Sequence, residues 1–342
     1  MTIEQIKDKL KSKEYDFLRT DKNLGDNIII LTLGGSHAYG TNNEGSDLDI
    51  RGCALNSKMQ ILTNENFEQF VNNETDTTIY AFDKLVALLS NTNPNTIEML
   101  GNKPEHYFYV SPIGQELIDN AHLFLSKRAC HSFGGYANQQ LYRLNQKAAH
   151  QMSQSELEKH ILKTLEFMQT DFTKKYTPYS DDSMKLYIDK AVQEGYNTEI
   201  FMDVNLTHYP LRDYCSMWNE LQNTVRQYGK IGKRNEKAIE HGKIAKHSMH
   251  LIRLYMMCLD ILEKERIITY REDEHDLLMD IRNGKYLDSN DQPIPEFFEM
   301  VNDYEKRLDY AKKNTNLPDN PDYKKINEFV ASVNERVVKG EI

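Results

Sequence analysis

Leu33-Gly34-Gly35-Ser36-His37-Ala38-Tyr39-Gly40-Thr41-Asn42-Asn43-Glu44-Gly45-Ser46-Asp47-Leu48-Asp49-Ile50-Arg51-Gly52 decides how the chain is read. The run before it, Ile28-Ile29-Ile30-Leu31-Thr32-Leu33, is apolar and β-branched, which predicts a strand buried on both faces. That strand ends directly in a Gly-Gly-Ser turn. Glycines there let backbone N–H groups approach an anion closely, and the Ser36 hydroxyl adds a donor, so Gly34, Gly35 and Ser36 are suited to holding phosphate oxygens. A second, shorter strand is expected to carry Asp47 and Asp49. With one residue between them the two carboxylates leave the same face of an extended chain, while Leu48 and Ile50 point into the core. Such a pair suits a hard divalent cation with oxygen ligands. The plainer alternative is a tight turn with capping acids, which leaves unexplained why two acids share a face beside an apolar strand. His37 has no metal-ligand spacing and reads as structural or substrate-facing.

Working outward, 342 residues are enough for about two domains with a sizeable core, and 39% hydrophobic residues mark a globular chain. No apolar run is long enough for a membrane span and Met1–Lys7 lacks a signal-peptide core, so a soluble, cytoplasmic protein with no membrane partner is expected. Cys53, Cys130, Cys215 and Cys258 form no Cys-x-x-Cys pair, which argues against a zinc site or a disulfide framework. The net charge of −10 argues against a general nucleic-acid coat protein. Residues 1–125 hold ten Lys/Arg against eighteen Asp/Glu, so the acidity lies where the candidate metal ligands are. A phosphate-rich substrate would need a metal ion and basic groups supplied from elsewhere.

Downstream, Phe67–Val71 alternates as a strand, Asn72-Asn73-Glu74 reads as a turn, and Asp76-Thr77-Thr78-Ile79-Tyr80 reads as another strand with Asp76, Thr78 and Tyr80 on one face. A helix is expected from Asp83 to Ser90, and a second begins at Asn93-Pro94. From about residue 115 the pattern turns helical, over 115–125, 133–148, 155–170, 297–308 and 325–338, with a mixed Tyr-, Asp- and Thr-rich region over 173–210. The expected architecture is an α/β domain over 1–125, a small mixed sheet flanked by helices, followed by a mainly α-helical domain over 126–342. Arg226–Arg253 is basic, with eight Lys/Arg against Glu236 and Glu240. Lys243, Lys246, His250 and Arg253 share one helix face, which reads as a basic rim or simply a solvated one.

The Gly34-Gly35-Ser36 turn followed by Asp47-Leu48-Asp49 resembles the signature of the DNA polymerase β superfamily of nucleotidyltransferases. Arg51-Gly52, the Asn93-Pro94-Asn95-Thr96-Ile97-Glu98-Met99-Leu100 segment, and stretches at 133–141, 246–254 and 276–284 are similar to the polymerase-β-like family associated with RNA repair in bacteria and tailed phages. The resemblance implies transfer of a nucleoside monophosphate from a nucleoside triphosphate, ATP among them, to an acceptor hydroxyl with release of pyrophosphate, the acceptor an RNA 3′ end. It implies Mg²⁺, with Mn²⁺ as the alternative, held by Asp47, Asp49 and a third carboxylate from a neighbouring strand. Asp76 is the candidate for that third acid and for the base that takes the hydroxyl proton; the alternatives are a turn-capping Asp76, Glu74, or no third acid. Arg51 orients an acid, contacts substrate or forms a structural ion pair, and Lys246 and Arg253 are candidates for contacting the triphosphate. The rival expectations are transfer to a protein or small molecule, and a non-catalytic nucleotide- or RNA-binding protein on the same fold.

Overall fold

A computed structural model describes residues 1–134, 137, 154–192, 198–229, 243–289 and 293–342. The expected strand is β1 (Ile28–Leu33), with every residue buried. It pairs antiparallel with β2 (Ile50–Ala54) and with β5 (Tyr107–Val110). β2 pairs parallel with β4 (Thr77–Ala81), which pairs antiparallel with β3 (Gln69–Asn72). The result is a mixed five-stranded sheet in the order β3-β4-β2-β1-β5.

Both faces of this sheet are covered, as a continuous apolar β1 requires. On one face Ile29, Ile30 and Cys53 join Phe82, Leu85 and Leu89 of the Phe82–Ser90 helix, Ile113 and Leu117 of the Pro112–Asp119 helix, and Leu254, Met257, Cys258 and Ile261 of the Lys243–Lys264 helix. Ile326 and Val333 of the Tyr323–Lys339 helix complete that cluster. On the other face Ile28, Leu31, Leu33, Ile50 and Ile79 pack with Ile6 and Leu10 of the opening Ile3–Leu10 helix. That helix starts where Thr2 and Gln5 form a capping box.

The chain divides into two compact units, each made of separate stretches of sequence. The unit with the five-stranded sheet holds Met1–Gln140, Ser248–Tyr286 and Pro295–Ile342; the other holds Leu141–His247 and Leu287–Ile294. Helical segments that the sequence pattern sets apart from the sheet therefore belong to the sheet's own unit, because their apolar faces are what cover it. The second unit contains the Gln154–Lys175 and Leu211–Gly229 helices around Ile161, Leu165, Phe172, Met217 and Leu221. Its 173–210 region is an antiparallel hairpin of β6 (Met184–Lys190) and β7 (Thr198–Val204), with Tyr187 opposite Phe201 and their rings stacked at 5.9 Å. The expected 133–148 helix and Lys230, Lys233, Arg234 and Lys237 of the basic run lie largely outside the described residues. Among the described residues no helix is long and apolar enough to cross a membrane.

Several expected elements shift by a few residues. Asp47 and Asp49 lie just before β2, which starts at Ile50, and Asp76 lies just before β4. Asp76 has a left-handed backbone, φ +44°, which takes it out of the strand and into the turn that feeds it.

A buried polar network ties the Gly-Gly-Ser turn to the distant helices. Tyr39 donates to both Glu98 carboxylate oxygens at 2.8 and 2.9 Å, Arg253 donates to Glu98 Oε2 at 3.2 Å, and the Arg253 guanidinium lies 3.6 Å from the Tyr39 ring centroid. Arg253 is fully buried, so its charge depends on Glu98. Glu98→Ala should therefore destabilise the protein by about 3–5 kcal/mol, the usual cost of leaving a buried charge unpaired; urea unfolding checks this, with Glu98→Gln expected to lose less.

Candidate active site

The turn after β1 and the acids before β2 meet because the strands are antiparallel neighbours. Gly34 N–H donates to the Asp49 carbonyl at 2.9 Å, continuing the β1–β2 pairing past its end. Gly35 then starts the short Gly35–Tyr39 helix with φ +58°, a conformation that L side chains rarely adopt. A Cβ on Gly35 would lie 1.8 Å from Asp49 Oδ2. The Asp49 carboxylate thus rests on the bare backbone of the turn, where a side chain at position 35 would displace it.

The acids are placed as alternation predicts on the β2 side. Leu48 and Ile50 are buried, Asp47 is exposed and Asp49 is partly exposed. The parallel register of β2 and β4 sets Ile50 opposite Thr77, so one step earlier Asp49 stands beside Asp76, and Ile50 N–H donates to the Asp76 carbonyl at 3.1 Å. Arg51 joins the two acids. Its Nη2 contacts Asp49 Oδ1 at 3.0 Å and Asp76 Oδ1 at 3.2 Å, and its Nη1 donates to the Asp76 carbonyl at 2.6 Å. Burial works against the Arg51 charge, but the Asp49 and Asp76 carboxylates outweigh it and hold the guanidinium above its ordinary pKa. Arg51 is thus an ion-pair partner of both acids.

Asp76 is accordingly brought to Asp49 as a partner of Arg51. Among the described residues no three His, Cys, Asp or Glu side chains gather closely enough to hold one metal ion. Asp47 and Asp49 offer hard carboxylate oxygens of the kind a divalent cation takes, and the Asp49 carboxylate rests against the bare Gly35 backbone. The gap between Asp49 and Asp76 is already filled by a positive charge, that of Arg51.

The two basic candidates diverge. Arg253 is buried on Tyr39 and Glu98, and His250 Nδ1 lies 3.2 Å from its Nη2. The apolar stripe of its helix carries it into the core, where charge pairing holds the Tyr39 end of the short helix. Lys246 is exposed and belongs to the second unit. Sequence reading passed over Glu98 and Tyr39, although Glu98 stands within the Asn-Pro segment already singled out. His37, expected to be structural or substrate-facing, and Arg282, within the 276–284 stretch, both meet Ser46 immediately before Asp47. His37 is buried, and that burial lowers its pKa, keeping the ring neutral near pH 7.

With this geometry in place, comparison with known proteins identifies the chain: the model of RlaP, the RNA repair pathway DNA polymerase beta family, matches residues 4–332, so the chain belongs to that family. The family is one of polymerase β-like proteins of RNA repair. No curated protein and no solved structure shows a significant match to this chain.

The close approach at the turn gives a paired prediction. Gly35→Ala should cost at least about 1–2 kcal/mol from its left-handed backbone alone. Gly34→Ala should cost less, because Gly34 has an extended backbone, φ −122°, open to any residue, and its Cβ would meet Arg51 Cγ at 2.7 Å rather than a carboxylate oxygen at 1.8 Å. Urea unfolding of the two variants checks the order.

Proposed function

We propose that the chain transfers a nucleoside monophosphate from a nucleoside triphosphate to an acceptor hydroxyl, the acceptor being an RNA 3′ end. The observation that carries this reading is the Asp49 carboxylate resting on Gly35, which sets an acid against the Gly-Gly-Ser turn. Membership of an RNA-repair polymerase β family supports the reaction class and the choice of RNA.

In the proposed reaction the acceptor oxygen attacks the α-phosphorus, the new P–O bond forms as the bond to the β-phosphate oxygen breaks, and pyrophosphate leaves. Asp47 and Asp49 would hold Mg²⁺ or Mn²⁺. The ion, when bound, supplies a lowered pKa for the attacking hydroxyl and neutralises phosphate charge. The Gly35 N–H and the Ser36 hydroxyl bind phosphate oxygens of the triphosphate. Asp76, held beside Asp49 by Arg51, is the third acid of the site and the acceptor for the hydroxyl proton. Its side chain is 53% exposed, which suits a group that exchanges protons with solvent.

A second reading, a nucleotide- or RNA-binding protein without transfer, is favoured by one observation: Arg51 already neutralises the pair that a third metal ligand would require. The two readings separate in one assay. Purified protein and an Asp47→Ala/Asp49→Ala variant are incubated with each α-labelled nucleoside triphosphate, Mg²⁺ and a pool of small RNAs. Label should appear on RNA with the wild type and fall at least about 10³-fold in the double variant, on the scale seen when catalytic electrostatics are removed. Bound but untransferred nucleotide would establish the second reading, and label on the protein itself would move the acceptor from RNA to protein.

A further inference from the structure

Cys130 and Cys258, far apart in the chain, are in hydrogen-bond contact through their side chains. Cys130 stands in the first turn of the helical segment that begins at Arg128, and Cys258 is on the Lys243–Lys264 helix. Cys258 is fully buried in the core on one face of the sheet. Cys130 packs against the same core but keeps part of its surface open to solvent. Their places in the chain match as well. The chain leaves the sheet-bearing unit after Gln140 and returns at Ser248, and Leu141–His247 between them makes up nearly all of the second unit. Cys130 comes shortly before the exit and Cys258 shortly after the return, so a bond between them closes the stem of the inserted stretch.

The two thiols are unequal in the way a redox pair needs. Cys258 S–H donates to the Cys130 sulfur and holds the Cys130 thiol below its ordinary range. Partial burial opposes this shift; Lys312 of the Pro295–Asn314 helix adds to it, and Asp309 opposes it more weakly. The Cys258 thiol, which gives its proton to that contact and is enclosed by apolar side chains, is pushed well above its ordinary range. Thiolate therefore forms first at the cysteine that solvent reaches, with a second sulfur already against it. Redox-sensing cysteines share this arrangement, whereas cysteines that only fill a core need no exposed partner and no cation beside them. Cys53 is fully buried and burial pushes its thiol up, and Cys215 belongs to the second unit.

We propose that Cys130 and Cys258 form a reversible disulfide when the protein meets a hydroperoxide, and that this bond staples the stem of the inserted 141–247 stretch. With hydrogen peroxide, the Cys130 thiolate attacks one oxygen. An S–O bond forms, the O–O bond breaks, and the hydroxide that leaves takes a proton from solvent to become water. The Cys258 sulfur then attacks the Cys130 sulfenic acid. The S–S bond forms, the S–O bond breaks, and the second hydroxide leaves as water with the Cys258 proton. Two thiols lose two electrons, peroxide gains them, and an added dithiol reverses the change. Closing so long a loop restricts the unfolded chain, so the oxidised protein resists unfolding more than the reduced one. The helix pinned in this way also carries Arg253 and Asp260, the partners of Glu98 and Arg271.

The test is peptide mass spectrometry of the wild-type protein, reduced, freed of reductant, treated with a slight excess of hydrogen peroxide, then alkylated and digested. A peptide pair linked through Cys130 and Cys258 should be the main oxidised species and should disappear on adding dithiothreitol. Cys258→Ala should leave Cys130 as a sulfenic acid that dimedone traps, and Cys130→Ala should slow oxidation of Cys258 at least about tenfold. The urea midpoint should be higher for oxidised than for reduced wild type, and this difference should vanish in either variant. Cys130 and Cys258 both still alkylated while Cys215 is oxidised would overturn the proposal. So would Cys130 carried to the sulfinic acid beside a free Cys258 thiol, or a linked pair whose urea midpoint is not raised. The wild-type peptides and midpoints decide among these outcomes whether or not a variant folds.

Discussion

The Asp49 carboxylate lies against a residue with no side chain, and much of the sheet-bearing unit serves to keep it there. The contact exists because β1 and β2 run antiparallel and their pairing continues one step beyond the strands, through Gly34 N–H and the Asp49 carbonyl. It needs a left-handed residue at position 35 and tolerates no Cβ. The acid is thereby fixed against the bare backbone of the turn.

The short Gly35–Tyr39 helix cannot hold that geometry by itself, since one helical turn is only marginally stable alone. It is clamped at its far end by the Tyr39–Glu98–Arg253 cluster, and Arg271 N–H donates to the Tyr39 carbonyl at 3.1 Å. Arg271 is itself buried and paired with Asp260 of the Lys243–Lys264 helix. Buried ion pairs of this kind add little net stability compared with apolar packing, but removing one partner is costly, so they fix one arrangement of the chain. The same helix supplies Leu254, Met257, Cys258 and Ile261 to the core on one face of the sheet.

The strand Ile28–Leu33, the following turn and the inward Leu48 and Ile50 were legible because burial on both faces and strict alternation leave local signatures. The hairpin at 184–204 was not, because its two strands mix polar and apolar residues and have one sheet partner each. Asp76 was read as part of a strand because the β-branched Thr77, Thr78 and Ile79 follow it; its positive φ depends on a tertiary turn that no local pattern announces. The reading of Arg253 turned on the same difficulty. A basic residue on a helix face looks solvent-facing from its neighbours in sequence, and only Glu98, 155 residues away, shows that the face is internal. Ser46, His37 and Arg282 likewise meet through contacts between distant segments, and the spacing of each carried no metal or nucleophile signature.

The most direct measurement of the central claim compares two forms of the same nucleoside triphosphate, labelled at the α- or the γ-phosphate, in reactions with the wild-type protein, Mg²⁺ and RNA. Nucleotidyl transfer at Asp47 and Asp49 predicts that the α-label moves onto RNA while the γ-label leaves as pyrophosphate in equal amount. Appearance of the γ-label on the acceptor, or release of the γ-label as orthophosphate with no α-label transferred, would contradict it.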